Sequence, residues 1–165
     1  MEDITIYDNF FSKGIQKEIF DKLWFGAHWE LSGANQDKPE IGWHYDNLEK
    51  QDYFSKYLWR MISSKLNGKF KVLRIYANGQ TAGQCGSLHN DDGDFTFLYY
   101  PCLDWRHDWQ GHLIFMDRNI AINKIVEYRS NRAVIFNGKI PHYADAPSRF
   151  FNGLRISLAY KLKNV

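Results

Sequence analysis

The chain has 165 residues, of which 44% are hydrophobic and 17% aromatic, and its formal net charge is +2. This length predicts one domain spanning residues 1–165 with a substantial core, and the near balance of charge gives no sign of nucleic-acid binding. The sequence has no apolar run of about 18 residues and no signal-peptide pattern, and its two cysteines lack metal-finger spacing. We therefore expect a protein of the reduced cytoplasm without a membrane span, and the sequence leaves its oligomeric state open.

The first part of the chain, about residues 1–69, is predicted to give helical support to a β-rich core at about residues 70–163. Ser12 precedes apolar residues that recur at three- and four-residue steps, which is typical of an amphipathic helix that begins after a serine N-cap. A second apolar stripe runs over residues 50–66 and ends before an Asn-Gly pair. Both helices are expected to pack an apolar face against the outside of a sheet.

The polar segment between these helices, residues 33–46, is predicted to be a long loop because it contains two glycines and a proline. Long loops in compact domains often serve as lids or binding loops. His44 in this segment is interpreted as a surface histidine in preference to a substrate contact.

The second half of the chain is rich in short strand patterns separated by Gly, Pro, Asp or Asn. These patterns, together with one near the start of the chain, cover residues 4–7, 70–76, 95–100, 111–116, 124–128, 132–136 and 153–162. Many short strands with turns between them predict a sandwich or barrel, and a double-stranded β-helix, or jelly roll, fits best. The expected fold class is mainly β with flanking helices (α+β).

A candidate metal site begins with His89 and Asp91, which lie two residues apart. Alternate residues of an extended segment share a face, so this imidazole and this carboxylate project into the same space. His142, which follows an apolar strand and a turn, offers a third ligand. Two histidines and one carboxylate on one face of an octahedron are the arrangement of non-haem Fe(II) oxygenases.

A candidate anion site lies in the last strand pattern. Alternation places Arg155, Ser157 and Ala159 on one face, with apolar residues on the other. A charged residue within an apolar strand is costly to bury without an anionic partner, and a guanidinium can hold a carboxylate through two hydrogen bonds. The Ser157 hydroxyl can add a third, whereas Arg149, in a polar turn, is the weaker candidate anchor.

Taken in chain order, the motifs of this sequence resemble those of the 2-oxoglutarate and Fe(II)-dependent dioxygenases and, among them, the prolyl 4-hydroxylase-like group. The resemblance covers about residues 71–161 and includes a strand with Tyr76, the His89-x-Asp91 pair, an aromatic strand, Trp109-x-Gly111, His142 and the Arg155-x-Ser157 strand. Two motifs depart from the family pattern: Gly-Gly-Glu-Leu reads Gln-Gly-His-Leu at residues 110–113, and Gly-Arg reads Asn-Arg at residues 131–132.

The resemblance implies a set of cofactors and the residues that hold them. Fe(II) is expected on His89, Asp91 and His142. The cosubstrate 2-oxoglutarate is expected to place its distal carboxylate on Arg155 and Ser157, with Tyr76 nearby. Dioxygen is the second cosubstrate, and ascorbate is an additional expected reductant.

The implied reaction is hydroxylation of a C–H bond coupled to oxidative decarboxylation of 2-oxoglutarate, with a peptidyl proline as the expected substrate. Aromatic faces suit a proline ring and an extended backbone. Four aromatic residues in loops are therefore expected to contact the substrate: Trp43, Tyr45, Trp105 and Trp109. The loop at residues 33–46 would form a lid over the peptide.

Several alternatives remain open. The substrate could instead be a free amino acid, another small molecule or a nucleobase. Two non-enzymatic readings are a cupin-like protein that binds a metal without turnover and a β-sandwich interaction module without a metal. A second metal cluster could form from residues of the 104–112 region, namely Asp104, His107, Asp108 and His112, although they straddle a loop and the start of a strand.

Overall fold

The computed structural model describes residues 3–26, 28–32 and 41–165. Its strands are, in chain order, β1 (Ile4–Tyr7), β2 (Glu30–Ser32), β3 (Gly42–Tyr45), β4 (Phe70–Gln80), β5 (Phe95–Tyr99), β6 (Leu113–Met116), β7 (Ile122–Val126), β8 (Ala133–Asn137), β9 (His142–Ala144) and β10 (Arg155–Asn164). The α-helices are α1 (Lys13–Phe25) and α2 (Trp59–Ser63); 3-10 turns lie at Leu48–Lys50 and His107–Trp109, and a π-helical turn at Tyr53–Leu58.

Two antiparallel sheets face each other across the core. The larger sheet has the order β1-β8-β5-β10-β4-β3-β2, and the smaller one has the order β7-β6-β9. Phe115 of the smaller sheet packs against Phe136 of the larger one with ring centroids 5.0 Å apart, and both rings are buried. This arrangement is the double-stranded β-helix that the sequence predicts, with helices against the mainly β core.

Strand β10 is central to the larger sheet. It pairs with β4 on one edge and with β5 on the other, and residues 155–162 are buried throughout. A strand that is paired on both edges has its main-chain donors and acceptors satisfied, so its side-chain directions are fixed by the sheet. The face that carries Arg155 and Ser157 therefore has a well-defined orientation.

The N-terminal part of the chain contributes strands as well as helices. Helix α1 begins as predicted, because the Ser12 hydroxyl accepts a hydrogen bond from the Ile15 amide at 3.4 Å. Strand β1 pairs with β8, and β3 pairs with β4, so this part extends the larger sheet at both of its ends.

The predicted loop at residues 33–46 is wrong over Gly42–Tyr45, which form β3. Trp43, His44 and Tyr45 lie opposite Gly79, Asn78 and Ala77 of β4, whose main-chain groups on that edge would otherwise lack partners. Four residues are too few for alternation to reveal a strand within a polar segment. Residues 33–40 of the predicted lid lie outside the described residues.

The second predicted helix, residues 50–66, is shorter and less regular than expected. Its apolar stripe is buried as predicted through Phe54, Leu58 and Ile62. The hydrogen-bond spacing changes along it, however, from the π-helical turn to α2. The Tyr160 hydroxyl donates to the Phe54 carbonyl at 2.9 Å, within the π-helical turn. No described helix is both long and apolar enough to cross a membrane.

The turn before β8 is held by Asn131, which stands where the resembling family has glycine. Its φ of 60° lies in the left-handed region, which asparagine tolerates better than most residues. Its buried side chain accepts from the Phe11 amide at 3.1 Å and from the Tyr99 hydroxyl at 2.8 Å, and donates to the Phe11 carbonyl at 2.8 Å. One asparagine therefore joins the segment before α1 to the end of β5.

Replacing Asn131 with alanine should lower the free energy of unfolding by about 2–4 kcal/mol, because it leaves buried polar groups unpaired and forces alanine into a left-handed conformation. Asn131→Gly is the matched control: it loses the same hydrogen bonds without the backbone strain and should be about 1 kcal/mol less destabilised. Chemical denaturation of the three proteins measures both differences. Equal stability of the alanine variant and the wild type would contradict this role.

Candidate metal and cosubstrate site

The backbone brings His89 and His142 face to face. The two residues exchange main-chain hydrogen bonds of 3.0 Å in each direction, which places their ring centroids 4.6 Å apart. Asp91 is fixed two residues later by a hydrogen bond of 2.7 Å from its amide to the Gly138 carbonyl. Ligand atoms of these three residues lie within 4.8 Å of one another, the one such group of His, Cys, Asp and Glu among the described residues. The alternative cluster at residues 104–112 is therefore not assembled.

The ring orientation of both histidines suits metal binding. Nδ1 of His89 lies 2.8 Å from the Ser87 carbonyl, and Nδ1 of His142 lies 2.7 Å from the Ile140 carbonyl. A carbonyl oxygen only accepts hydrogen bonds, so each Nδ1 carries a proton. The Nε2 atoms therefore face Asp91, at 3.4 Å for His89 and 3.5 Å for His142. A carbonyl on the second ring nitrogen is the usual support of a metal-binding histidine.

Asp91 is buried and remains ionised. Burial disfavours its charged form, but hydrogen bonds with the two histidines and the charge of Lys161 outweigh this and hold the pKa of its carboxyl well below the usual range. The hydrogen bond with Asp91 in turn raises the pKa of His89 against the effect of burial. A metal ion at this position would displace the shared protons and take the same lone pairs.

Arg155 lies further along the barrel and is 1% exposed. Its Nε donates to the Gly111 carbonyl at 2.8 Å and its Nη1 to Oε1 of Gln80 at 2.6 Å. Among the described residues its Nη2 has no hydrogen-bond partner, and neither does the buried hydroxyl of Tyr100. The Tyr100 and Tyr128 rings flank the guanidinium at 5.5 and 4.7 Å.

The chemistry of these two groups suits a carboxylate. A carboxylate oxygen accepts hydrogen bonds, so it could satisfy a guanidinium nitrogen or a phenol hydroxyl that lacks a partner. Burial raises the pKa of Tyr100 to about 12, so its hydroxyl keeps its proton at neutral pH. Gly111 permits the close approach, because a Cβ there would lie 2.9 Å from Cδ of Arg155 and its φ of 73° favours glycine.

The other predicted cosubstrate residues lie nearer the triad. Ser157 and Tyr76 line the cavity that also contains Asp91 and His89. Ser157 is on the same face of β10 as Arg155, as the alternation predicts. Arg149, the weaker candidate anchor, is exposed and lies over the Phe150 ring at 5.2 Å. Of the two candidate anchors, Arg155 is therefore the buried one, and its role towards a carboxylate stays a prediction.

The cavity beside the triad has a volume of about 1020 Å³. Trp43 lines it, as predicted for a substrate contact, and so does His44, which the sequence suggested was a surface residue. His44 faces the cavity because its position on β3 places it opposite Asn78, whose side-chain oxygen lies 3.0 Å from its Nδ1.

Three of the four predicted substrate contacts are not on the cavity wall. Tyr45 is 9% exposed, packs against Trp29 and accepts a hydrogen bond from Gln51, so it belongs to the core. Trp105 and Trp109 pack against each other and against Phe151, and Trp105 also packs on Tyr128 behind Arg155. Apolar packing thus places Tyr45 in the core and joins the half-buried Trp105 and Trp109 in an aromatic cluster, and their contact with a substrate stays a prediction.

Two residues at the site were missed by the sequence analysis. Lys161 is buried, and its ammonium pairs with Oδ2 of Asp91. Extending the alternation of β10 by one step would have placed it on the face of Arg155 and Ser157. Tyr100 directly follows β5, and no local pattern distinguishes its hydroxyl from that of Tyr99, which bonds to Asn131.

No family model matches the chain, and no curated protein matches it in sequence. Solved structures do match its fold. A prolyl hydroxylase from Trichoplax adhaerens, solved with a peptide fragment of the oxygen degradation domain of hypoxia inducible factor, is 16% identical with a TM-score of 0.69, covering 98% of this chain and 84% of its own.

Two further structures are similar to a comparable degree. A prolyl-4-hydroxylase from Pseudomonas putida is 15% identical with a TM-score of 0.66, covering 96% of this chain and 92% of its own. HygX from Streptomyces hygroscopicus, with nickel and 2-oxoglutarate bound, is 12% identical with a TM-score of 0.67, covering 97% and 82%. The chain therefore has the fold of prolyl hydroxylases and other 2-oxoglutarate/Fe(II) oxygenases, as the sequence predicts.

Proposed function

We propose that this protein is an Fe(II)- and 2-oxoglutarate-dependent oxygenase that hydroxylates a C–H bond of its substrate. The observation that carries the proposal is that Arg155 Nη2 and the Tyr100 hydroxyl, two buried donors in the barrel that also holds the His-Asp-His group, have no partner within the described part of the chain. A cupin-like protein that only binds a metal, or an interaction module without one, does not require a buried guanidinium with an unused donor. An oxygenase that binds a dicarboxylate requires such a group.

The residues divide into two groups, one for the metal and one for the cosubstrate. His89, Asp91 and His142 would hold Fe(II) on one face and leave the opposite positions open. Arg155 and Tyr100 would hold the distal carboxylate of 2-oxoglutarate. Iron and 2-oxoglutarate together supply the oxidising chemistry, in which dioxygen is consumed and the cosubstrate is converted to succinate and carbon dioxide.

The chain's own residues fix the orientation of the histidine rings and line the space beside them. The carbonyl partners of both Nδ1 atoms keep the histidine rings from rotating. Ser157 and Tyr76 line the space beside the triad and offer hydroxyl donors to the cosubstrate, while burial raises the pKa of Tyr76 and keeps it a donor. Trp43 forms part of the wall at which a substrate would sit.

We further propose that the substrate is a proline within a peptide. The cavity of about 1020 Å³ is at the upper end of the sizes usual for small ligands, so it accommodates more than a single amino acid. The indole of Trp43 and the ring of Tyr76 offer apolar faces to a proline ring. Two of the proteins with the same fold are prolyl hydroxylases.

A polar small molecule is the second candidate. The cavity wall includes polar side chains such as His44, Asp46, Asn78 and Asp92. HygX has also been solved with hygromycin B bound, at a TM-score of 0.66 to this chain and 13% identity. A peptide and a small polar compound would contact different side chains of the same cavity wall. Turnover measured with each kind of substrate distinguishes the two candidates.

Replacing His89, Asp91 or His142 individually with alanine should weaken Fe(II) binding at least about 100-fold, since loss of a direct ligand exceeds the roughly 10–100-fold cost of losing a supporting partner. Anaerobic calorimetry and metal analysis measure it. His107→Ala, at an exposed position in the alternative cluster, is the control and should bind iron as the wild type does. Iron retained by the triad variants and lost from His107→Ala would reverse the assignment.

Removing the proposed carboxylate partners should weaken 2-oxoglutarate binding without loss of metal. Arg155→Met should raise the dissociation constant roughly thirty-fold or more, since a desolvated charge-assisted pair is worth on the order of 2–5 kcal/mol. Tyr100→Phe should raise it about tenfold and leave the stability of the ligand-free protein unchanged or higher, because its hydroxyl has no partner among the described residues. Arg149→Met is the matched control. A defect confined to Arg149→Met would move the anchor there.

Proline-containing peptides should raise succinate formation well above the background without substrate and gain the mass of one oxygen on proline. Trp43→Ala should raise the KM for such a peptide about tenfold, whereas Trp109→Ala, away from the cavity, should leave it unchanged. A screen in which only amino acids, nucleotides or polar small molecules are hydroxylated would reject the peptide substrate and retain the oxygenase.

A further inference from the structure

A buried lysine touches the carboxylate of the proposed metal group. Lys161 is 2% exposed and lies on β10 opposite Thr96 of β5. Its ammonium pairs with Oδ2 of Asp91 and donates to the Thr96 hydroxyl at 3.1 Å. The Thr96 hydroxyl in turn donates to the same Oδ2. Two donors therefore engage one oxygen of Asp91, and Oδ1, which faces Nε2 of His89, is the oxygen left for a metal ion.

This lysine opposes a metal ion electrostatically. A divalent cation bound to Asp91 would lie close to a second positive charge, and water screens this repulsion only weakly because the side chains of Lys161 and Asp91 are both buried. Binding of the cation alone also leaves one carboxylate charge to compensate both the cation and Lys161. A dianion bound next to the cation has the opposite effect, because it is attracted by the ion and by the ammonium.

We propose that Lys161 makes metal binding and 2-oxoglutarate binding strongly interdependent. The metal alone binds weakly because the ammonium competes with it for Asp91, and the dianionic cosubstrate restores affinity by offsetting the excess positive charge. The inference rests on the proposed function and assigns to that site an order of assembly. By linkage, the metal strengthens cosubstrate binding by the same factor as the cosubstrate strengthens metal binding.

A purely structural role for Lys161 predicts the opposite result. If the lysine served only to orient Asp91, its loss would weaken metal binding. Thr96 keeps its own hydrogen bond to Oδ2, however, so the carboxylate remains held when the ammonium is removed. Removal of Lys161 should therefore relieve repulsion more than it disturbs geometry, and the sign of the change in metal affinity separates the two roles.

The experiment titrates the full chain with Ni²⁺ by calorimetry, with and without saturating 2-oxoglutarate. Lys161→Met removes the charge and the hydrogen bonds, and Lys161→Gln removes the charge while keeping a hydrogen-bond donor. Both variants should bind Ni²⁺ alone about tenfold more tightly than the wild type, and the gain in Ni²⁺ affinity from 2-oxoglutarate should fall about tenfold. Thr96→Val, which keeps the charge, should instead weaken Ni²⁺ binding.

Lys139→Met is the matched control for a nearby lysine. The Lys139 ammonium donates to the main-chain oxygen of Asp91 at 3.2 Å, but the residue is exposed and its charge is screened by water. Its loss should change Ni²⁺ affinity by less than about twofold. The Ni²⁺-induced rise in the unfolding temperature provides a second measurement and should be larger in Lys161→Met than in the wild type, because the metal then compensates an otherwise unpaired buried carboxylate.

The outcomes separate this inference from the function on which it rests. Unchanged or weaker Ni²⁺ binding in both Lys161 variants would overturn the inference and leave the oxygenase proposal intact. A wild-type protein that binds neither Ni²⁺ nor 2-oxoglutarate would overturn both. Tighter Ni²⁺ binding in both variants, with reduced dependence on 2-oxoglutarate, supports the interdependence.

Discussion

Two buried cations on one face of β10, Arg155 and Lys161, determine what the rest of the barrel must supply. A charge removed from water needs a partner of opposite sign or a full set of hydrogen bonds. Lys161 has Asp91 and Thr96 as partners. Arg155 has two neutral acceptors and one unpartnered nitrogen within the described chain, and no carboxylate is among the hydrogen-bond partners seen there. The fold thus compensates one cation internally and leaves the other suited to an anionic ligand.

The positions of the candidate metal ligands depend on main-chain contacts more than on the strands themselves. His89 lies outside the regular strands, yet its reciprocal hydrogen bonds with His142 fix both rings. Beside Asp91, the backbone at Gly138 also lies very close to the backbone at Gly93. A Cβ on Gly138 would lie 2.6 Å from the Gly93 carbonyl oxygen. Glycine at this position allows the two segments that carry the three ligands to meet.

Local patterns predicted much of the fold and of the metal site, because alternation fixes which side chains share a face. His89 and Asp91 project together, and Arg155 and Ser157 share the inner face of β10, as that reasoning requires. What local patterns could not supply was the identity of tertiary neighbours. Tyr45 and His44 are adjacent, yet pairing with β4 sends the first into the core and the second to the cavity. Trp105 and Trp109 form the packing behind Arg155, which depends on Tyr128 and Phe151 from distant parts of the chain.

Gln80 connects the buried Arg155 to the cavity wall through hydrogen bonds. Its Oε1 accepts from Arg155 and its Nε2 donates to the Gln84 carbonyl at 2.8 Å, while the Gln84 side chain accepts from the Thr81 amide at 2.8 Å. Gln80 also lines the cavity, whereas Arg155 does not line it and is 1% exposed. One amide side chain therefore contacts both the buried guanidinium and the turn at residues 81–84. The position of that turn and the hydrogen bonding of Arg155 thus depend on each other through a single residue of the cavity wall.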